Sequence, residues 1–148
     1  GAVFLDVYQV QNRPLNDKNV ALIYIEGPDG AGCHLRGPAA GHRYVLHEVG
    51  EFLRAVEKTA ENTMLAVCEY NCLARGRGEL PSIELLQYCL VSGGTTRHPE
   101  ASKLDVAEAT VRGLIAGSSA SSRGDTPTVR LTYDDGVFEK AVKMVLSS

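Results

Sequence analysis

The stretch from Ile83 to Ile115 does most to narrow what this chain can become. An apolar-rich run, Ile83 to Val91, gives way to Ser92-Gly93-Gly94-Thr95-Thr96-Arg97-His98-Pro99. Leu104, Ala107, Val111, Leu114 and Ile115 then recur at spacings of three and four. A period that changes from strand to helix across a glycine pair predicts strand, tight turn, helix. Such a turn can bring backbone N–H groups together around an anion, and glycines keep Cβ atoms out of the way. The plainer alternative is that Gly93-Gly94 only turns the chain. With little polar alternation, Ile83 to Val91 is expected to be a central strand buried on both faces.

The rest of the chain repeats this alternation. Val3 to Val10 and Val20 to Ile25 read as strands, separated by the turn cluster Arg13-Pro14-Leu15-Asn16-Asp17. A glycine-rich loop spans Gly27 to Gly41. From Glu48, the residues Phe52, Leu53, Val56, Ala60, Met64, Val67 and Cys68 fall on one stripe, which predicts a continuous helix to about Leu73 or Ala74. Gly76 and Gly78 are expected to stop it. The competing reading makes Met64 to Cys68 a strand. Pro99 suits the first turn of the next helix, with Ser102-x-x-Asp105 as a capping box if the regular turns start later. That helix is expected to end at Gly117. Thr128 to Tyr133 predicts a strand and Val137 to Val145 a last helix, capped by Asp134-Asp135. The order strand, strand, helix, strand, helix, strand, helix predicts an α/β sandwich with a largely parallel sheet.

Length and composition fit one domain over residues 1–148, 44% hydrophobic and 22% charged. The start at Gly1 without a methionine leaves room for a segment upstream. A net charge of −3 gives no electrostatic footprint for nucleic acid, so no nucleic-acid partner is expected. No run approaches the length of a membrane helix, and no signal peptide is visible. Cys33, Cys68, Cys72 and Cys89 read as reduced thiols of a cytoplasmic protein. No metal site is expected, because there is no C-x-x-C pair.

Several of these segments resemble the macrodomain family. Val91 to Ala107 is similar to the stretch that commonly reads I-S-T-G-I-Y-G-Y-P before an amphipathic helix. Gly94 falls on the family's glycine, His98 on its aromatic and Pro99 on its proline. Val20 to Pro28 resembles the strand ending in V-G-P. Val129 to Asp135 with Val137 to Ala141 resembles the closing strand and helix. The resemblance implies a three-layer sandwich with a mixed, mostly parallel sheet flanked by helices. It also implies binding of ADP-ribose or a related nucleotide diphosphate. Phosphate would lie over Ser92, Gly93, Gly94, Thr95 and Thr96, with Arg97 adding charge and His98, Gly27 and Tyr133 completing the site. No other cofactor is expected.

The G-D-I-T-type turn and the N-A-A-N-type strand end of the family are absent, so no catalytic residue can be assigned and enzymatic activity stays open. Arg97 stands where the family has a glycine in the middle of the phosphate loop. Two alternatives follow: a degenerate macro-like domain with a protein-interaction or structural role, and, ranked lowest, a hydrolase of ADP-ribose esters. His34, His42 and His47 flank the glycine-rich loop as candidate bases without an identifiable carboxylate partner. Ser92 lacks the G-x-S-x-G context of a nucleophile.

Overall fold

A computed structural model of the chain describes residues 3–9, 19–32, 46–78, 81–132 and 135–148. The elements follow the expected order: β1 Val3–Gln9, β2 Asn19–Ile25, α1 Val49–Arg77, β3 Leu85–Cys89, α2 Lys103–Ser119, β4 Thr128–Thr132 and α3 Val137–Ser147. A short 3-10 turn, Arg123–Asp125, precedes β4. The described residues therefore form an α/β fold with three α-helices and a small parallel sheet.

β1 and β2 pair antiparallel, from Val3 opposite Ile25 to Gln9 opposite Asn19. β3 and β4 pair parallel, from Leu85 opposite Thr128 to Cys89 opposite Thr132, with α2 as the crossover. Among the described residues no ladder joins the two pairs. They nevertheless share one helical layer, because Ile23 and Ile25 of β2 and Leu86 and Tyr88 of β3 pack against Ala60, Met64 and Val67 of α1. The second part of the core joins Phe52 and Val56 of α1 to Val106, Ala107 and Val111 of α2 and Phe138 and Ala141 of α3.

α1 forms as one continuous helix. Its buried residues Phe52, Val56, Ala60, Met64, Val67 and Cys68 repeat every three or four positions, and Thr59, Thr63, Asn71 and Ala74 extend the same face. The helix passes through Gly76 and ends at Gly78, whose φ of 67° is a left-handed cap and whose N–H bonds Ala74 O at 3.0 Å. α2 begins at Lys103, later than Pro99. The turn His98–Ala101, closed by Ala101 N–H to His98 O at 3.0 Å, takes up the proline instead. Ser102 and Asp105 form the capping box: Ser102 Oγ accepts from Asp105 N–H at 3.1 Å, and Ser102 N–H donates to Asp105 Oδ2 at 2.7 Å. Gly117 lies inside α2, which runs on to Ser119. The N-cap of α3 is Gly136, and Asp135 just before it accepts Val137 N–H at 3.1 Å. Asp134 and Tyr133 lie outside the described residues.

Gly113 and Gly117 let α2 lie directly on α1. A Cβ on Gly113 would overlap the Glu57 carbonyl oxygen, and one on Gly117 would come within 2.7 Å of Met64 Cβ. At the far end of α1, buried Asn71 ties three segments together. Its Nδ2 donates to Ile83 O at 2.9 Å and to Asp125 O at 2.8 Å, and its Oδ1 accepts from Ile83 N–H at 2.7 Å. One side-chain amide thus fixes the starts of both parallel strands.

Two fold expectations need correction. β3 is shorter than Ile83–Val91, and it is not buried on both faces: Leu86 and Tyr88 are buried, while Leu85, Gln87 and Cys89 are exposed. Among the described residues helices pack on one face of β3, so a three-layer sandwich is not confirmed. α2 packs against both α1 and α3. Half-burial without polar alternation misled the sequence reading, because Leu85 and Cys89 are apolar residues on an open face.

Candidate functional site

The glycine loop after β3 is built into the fold. Ser92 adopts φ of 59°, unusual for a residue with a side chain, and its buried hydroxyl donates to Pro28 O at 2.7 Å. Gly27 backs it closely: a Cβ there would sit 2.8 Å from Ser92 Oγ. Gly93 N–H donates to Leu90 O at 3.1 Å, Arg97 N–H to Gly94 O at 3.1 Å, and Gly30 N–H to Thr96 O at 2.9 Å. His98 is buried against Phe52, with Nε2 2.7 Å from His47 O and Nδ1 accepting from Glu100 N–H at 3.1 Å.

Gly93 therefore turns its amide inward, and Ser92 and His98 spend their polar atoms on the protein. Gly94 and Thr95 are exposed and Arg97 is half-buried. Of the site residues named from sequence, Gly27 and Ser92 to His98 do come together, as the packed junction of two loops. His34 and His42 lie outside the described residues, and His47 serves through its backbone oxygen.

The opposite end of the molecule carries arginines. Arg75 and Arg77 sit in the last turn of α1, where a cation also suits the helix dipole, and Arg123 lies in the 3-10 turn packed beside it. Arg75 is engaged with buried Asp125, Nη1 to Oδ1 at 3.1 Å and Nη2 to Oδ2 at 3.2 Å. Only the second contact has hydrogen-bond geometry, so Oδ1 is held by charge alone. Among the described residues no carboxylate pairs with Arg77 or Arg123. The sequence reading weighed neither residue, because a whole-chain charge of −3 conceals a local grouping that only the packing of the 3-10 turn on α1 creates.

A third surface is the strand face turned away from the helices. Leu22 and Tyr24 on β2 are 41% and 56% exposed, and Leu85 on β3 is 46% exposed. Gln87, Cys89, Thr128 and Arg130 are exposed beside them. Among the described residues, no His, Cys, Asp or Glu cluster is arranged to hold a metal ion. Cys68, Cys72 and Cys89 are free thiols.

The fold and these surfaces define a small α/β domain with cationic groups gathered at one end and a strand face left open. In sequence, the chain is similar to the DNA/RNA-binding protein ALBA4 of Plasmodium falciparum, 34% identical over 143 residues, which is 95% of this chain and 34% of that protein. The DNA/RNA-binding protein ALBA4 of Plasmodium yoelii yoelii matches to the same extent. The chain thus spans about a third of the length of the curated relatives it matches. No protein-family model matches the chain, and no solved structure matches it.

This likeness overturns the macrodomain reading. The short motifs behind that reading, a glycine turn and strand ends, are shared by many α/β chains, whereas the new match runs through nearly the whole sequence. ADP-ribose binding, the ligand-free degenerate domain and the ester hydrolase fall with it. The exclusion of nucleic acid falls as well, because it rested on net charge alone.

Proposed function

We propose that this chain is a nucleic-acid-binding domain. The observation that carries the reading is the 34% identity, across 95% of the chain, to proteins named as DNA/RNA-binding. The cationic end supplies the chemistry: Arg77 and Arg123 project from the same end as the Arg75–Asp125 pair, where guanidinium groups suit phosphate oxygens. The loop Ser92–His98, backed by Gly27, is proposed as a second contact through exposed Gly94 and Thr95 and half-buried Arg97. With a net charge of −3, binding by this domain depends on a few local contacts and not on a general positive field.

Fluorescence anisotropy of labelled oligonucleotides over a salt series tests this. Binding should weaken as salt rises, with a log–log slope of about −0.7 to −0.9 per phosphate neutralised. The double substitution Arg77→Glu, Arg123→Glu should reduce that slope by about 1.5. Arg75 is left intact, since its removal would strand the buried Asp125 carboxylate and unsettle the fold. Absence of measurable binding to RNA and DNA at low salt would end the proposal.

A further inference from the structure

We propose that the open strand face is a docking surface for single-stranded nucleic acid, whose bases stack on Tyr24 while Arg130 and Gln87 engage backbone and base edges. The inference rests on the nucleic-acid reading above and specifies the form of its ligand.

Three observations place these groups on one surface. Ile23 and Ile25 point into the core, so strand alternation turns Leu22 and Tyr24 outward, and both are exposed. Leu86 and Tyr88 point into the same core, which turns Leu85, Gln87 and Cys89 outward on β3. The register then sets Arg130 beside Gln87 and Thr128 beside Leu85. Ile23 and Ile25 of β2, Leu86 and Tyr88 of β3, and Val129 and Leu131 of β4 all pack into one cluster with Ala60, Met64 and Val67 of α1, so the three strands turn their other sides away from that helix. Tyr24 of β2 and the Gln87–Arg130 pair of β3 and β4 therefore lie on the side of the strands away from α1. The β1–β2 register also brings Phe4 opposite Tyr24.

The chemistry of this face selects its occupant. Tyr24, Gln87 and Arg130 have no side-chain partner among the described residues, so an exposed aromatic ring, an amide and a guanidinium are all available. Among the outward-facing strand residues described on β2, β3 and β4, Arg130 is a cation, and the exposed Glu26 just past β2 already has an interaction partner. A single strand offers unpaired base faces for the ring and phosphates for the cation. A duplex stacks its bases on each other and offers no free base face to Tyr24.

The test compares a labelled single strand of about ten nucleotides with a blunt duplex of the same sequence. Tyr24→Ala should weaken single-strand binding by about tenfold, with Tyr24→Phe close to wild type, since the ring face and not the hydroxyl makes the contact. Arg130→Ala should lower the single-strand salt slope by about 0.7. Duplex binding should be the same in all three variants. Both residues are exposed, and unchanged thermal midpoints confirm that the variants fold. If wild type binds single strands and neither alanine variant weakens them, the face is not the site, and the nucleic-acid reading stands without it. If wild type prefers the duplex, the single-strand assignment is wrong. If wild type binds neither, both readings fall together.

Discussion

Gly113→Ala is a demanding test of how the two long helices meet. In an open helix interior this change stabilises by about 1 kcal/mol, because alanine has the better helix propensity. Here the new methyl would overlap the Glu57 carbonyl oxygen and lie 2.8 Å from Ala60 Cβ. The first obstacle is backbone, so no rotamer change relieves it, and α2 must move away from α1. That movement loosens the contacts of Phe52 and Val56 with Val106 and Val111. Overpacking of this kind costs about 1–3 kcal/mol, and a backbone clash belongs at the upper end. Subtracting the propensity gain leaves a net loss of about 2 kcal/mol. For a domain of this size that lowers Tm by roughly 4–8 °C.

Urea unfolding followed by circular dichroism measures it, with Gly76→Ala as the internal control. Gly76 also lies in α1, but a Cβ there meets nothing within 4 Å, so the same substitution should be neutral or stabilise by up to about 1 kcal/mol. A Gly113→Ala midpoint at or above wild type would refute the close helix contact.

Further expectations concern the polar interior. Asn71→Ala removes three hydrogen bonds and leaves Ile83 N–H and two carbonyls at the strand starts without that partner, so it should cost about 2–4 kcal/mol in denaturant unfolding. An Asn71→Ala protein as stable as wild type would show that the strand starts are held by other means. Tyr88 is 3% exposed, and burial pushes its pKa from 10.0 up to about 12, with the Thr63 hydrogen bond opposing and the Cys89 charge adding to the rise. The native state therefore holds the phenol proton where the unfolded chain has released it. Stability is complete below pH 10 and falls as pH rises through the folded value, by about 2–3 kcal/mol in all. Tyr88→Phe should flatten the loss in midpoint between pH 10 and 12, and an unchanged slope would place its cause elsewhere.

The elements were legible because each rests on local chemistry. The α1 stripe from Phe52 to Cys68 follows from helical period alone, and the Ser102–Asp105 capping box and the Asp135 bond to Val137 N–H follow from short-range donors and acceptors. β3 and β4 were placed in one sheet for the same reason, since a strand, a crossover helix and a second strand favour parallel pairing. The candidate site was less legible. Gly27 and Ser92 to His98 were singled out together, and they do meet, but their polar atoms are spent on Pro28, Leu90 and His47. No sequence period reveals where an amide points.

What the sequence determined by itself is the order of helices and strands, their inward stripes and their caps, all set by contacts within a few residues. Tertiary structure decided which strand faces stay open, which cations gather and which helices can touch. Leu85 is apolar yet exposed, because the α1 and α2 residues packed on β3 meet its other face, through Leu86 and Tyr88. Arg123 comes near the last turn of α1, which carries Arg77, because the 3-10 turn packs on that helix. Gly113 reads as a weak helix former until Glu57, 56 positions earlier, is laid against it. These relations join residues far apart in the chain, and they exist only once the folded core has paid the entropy of bringing them together.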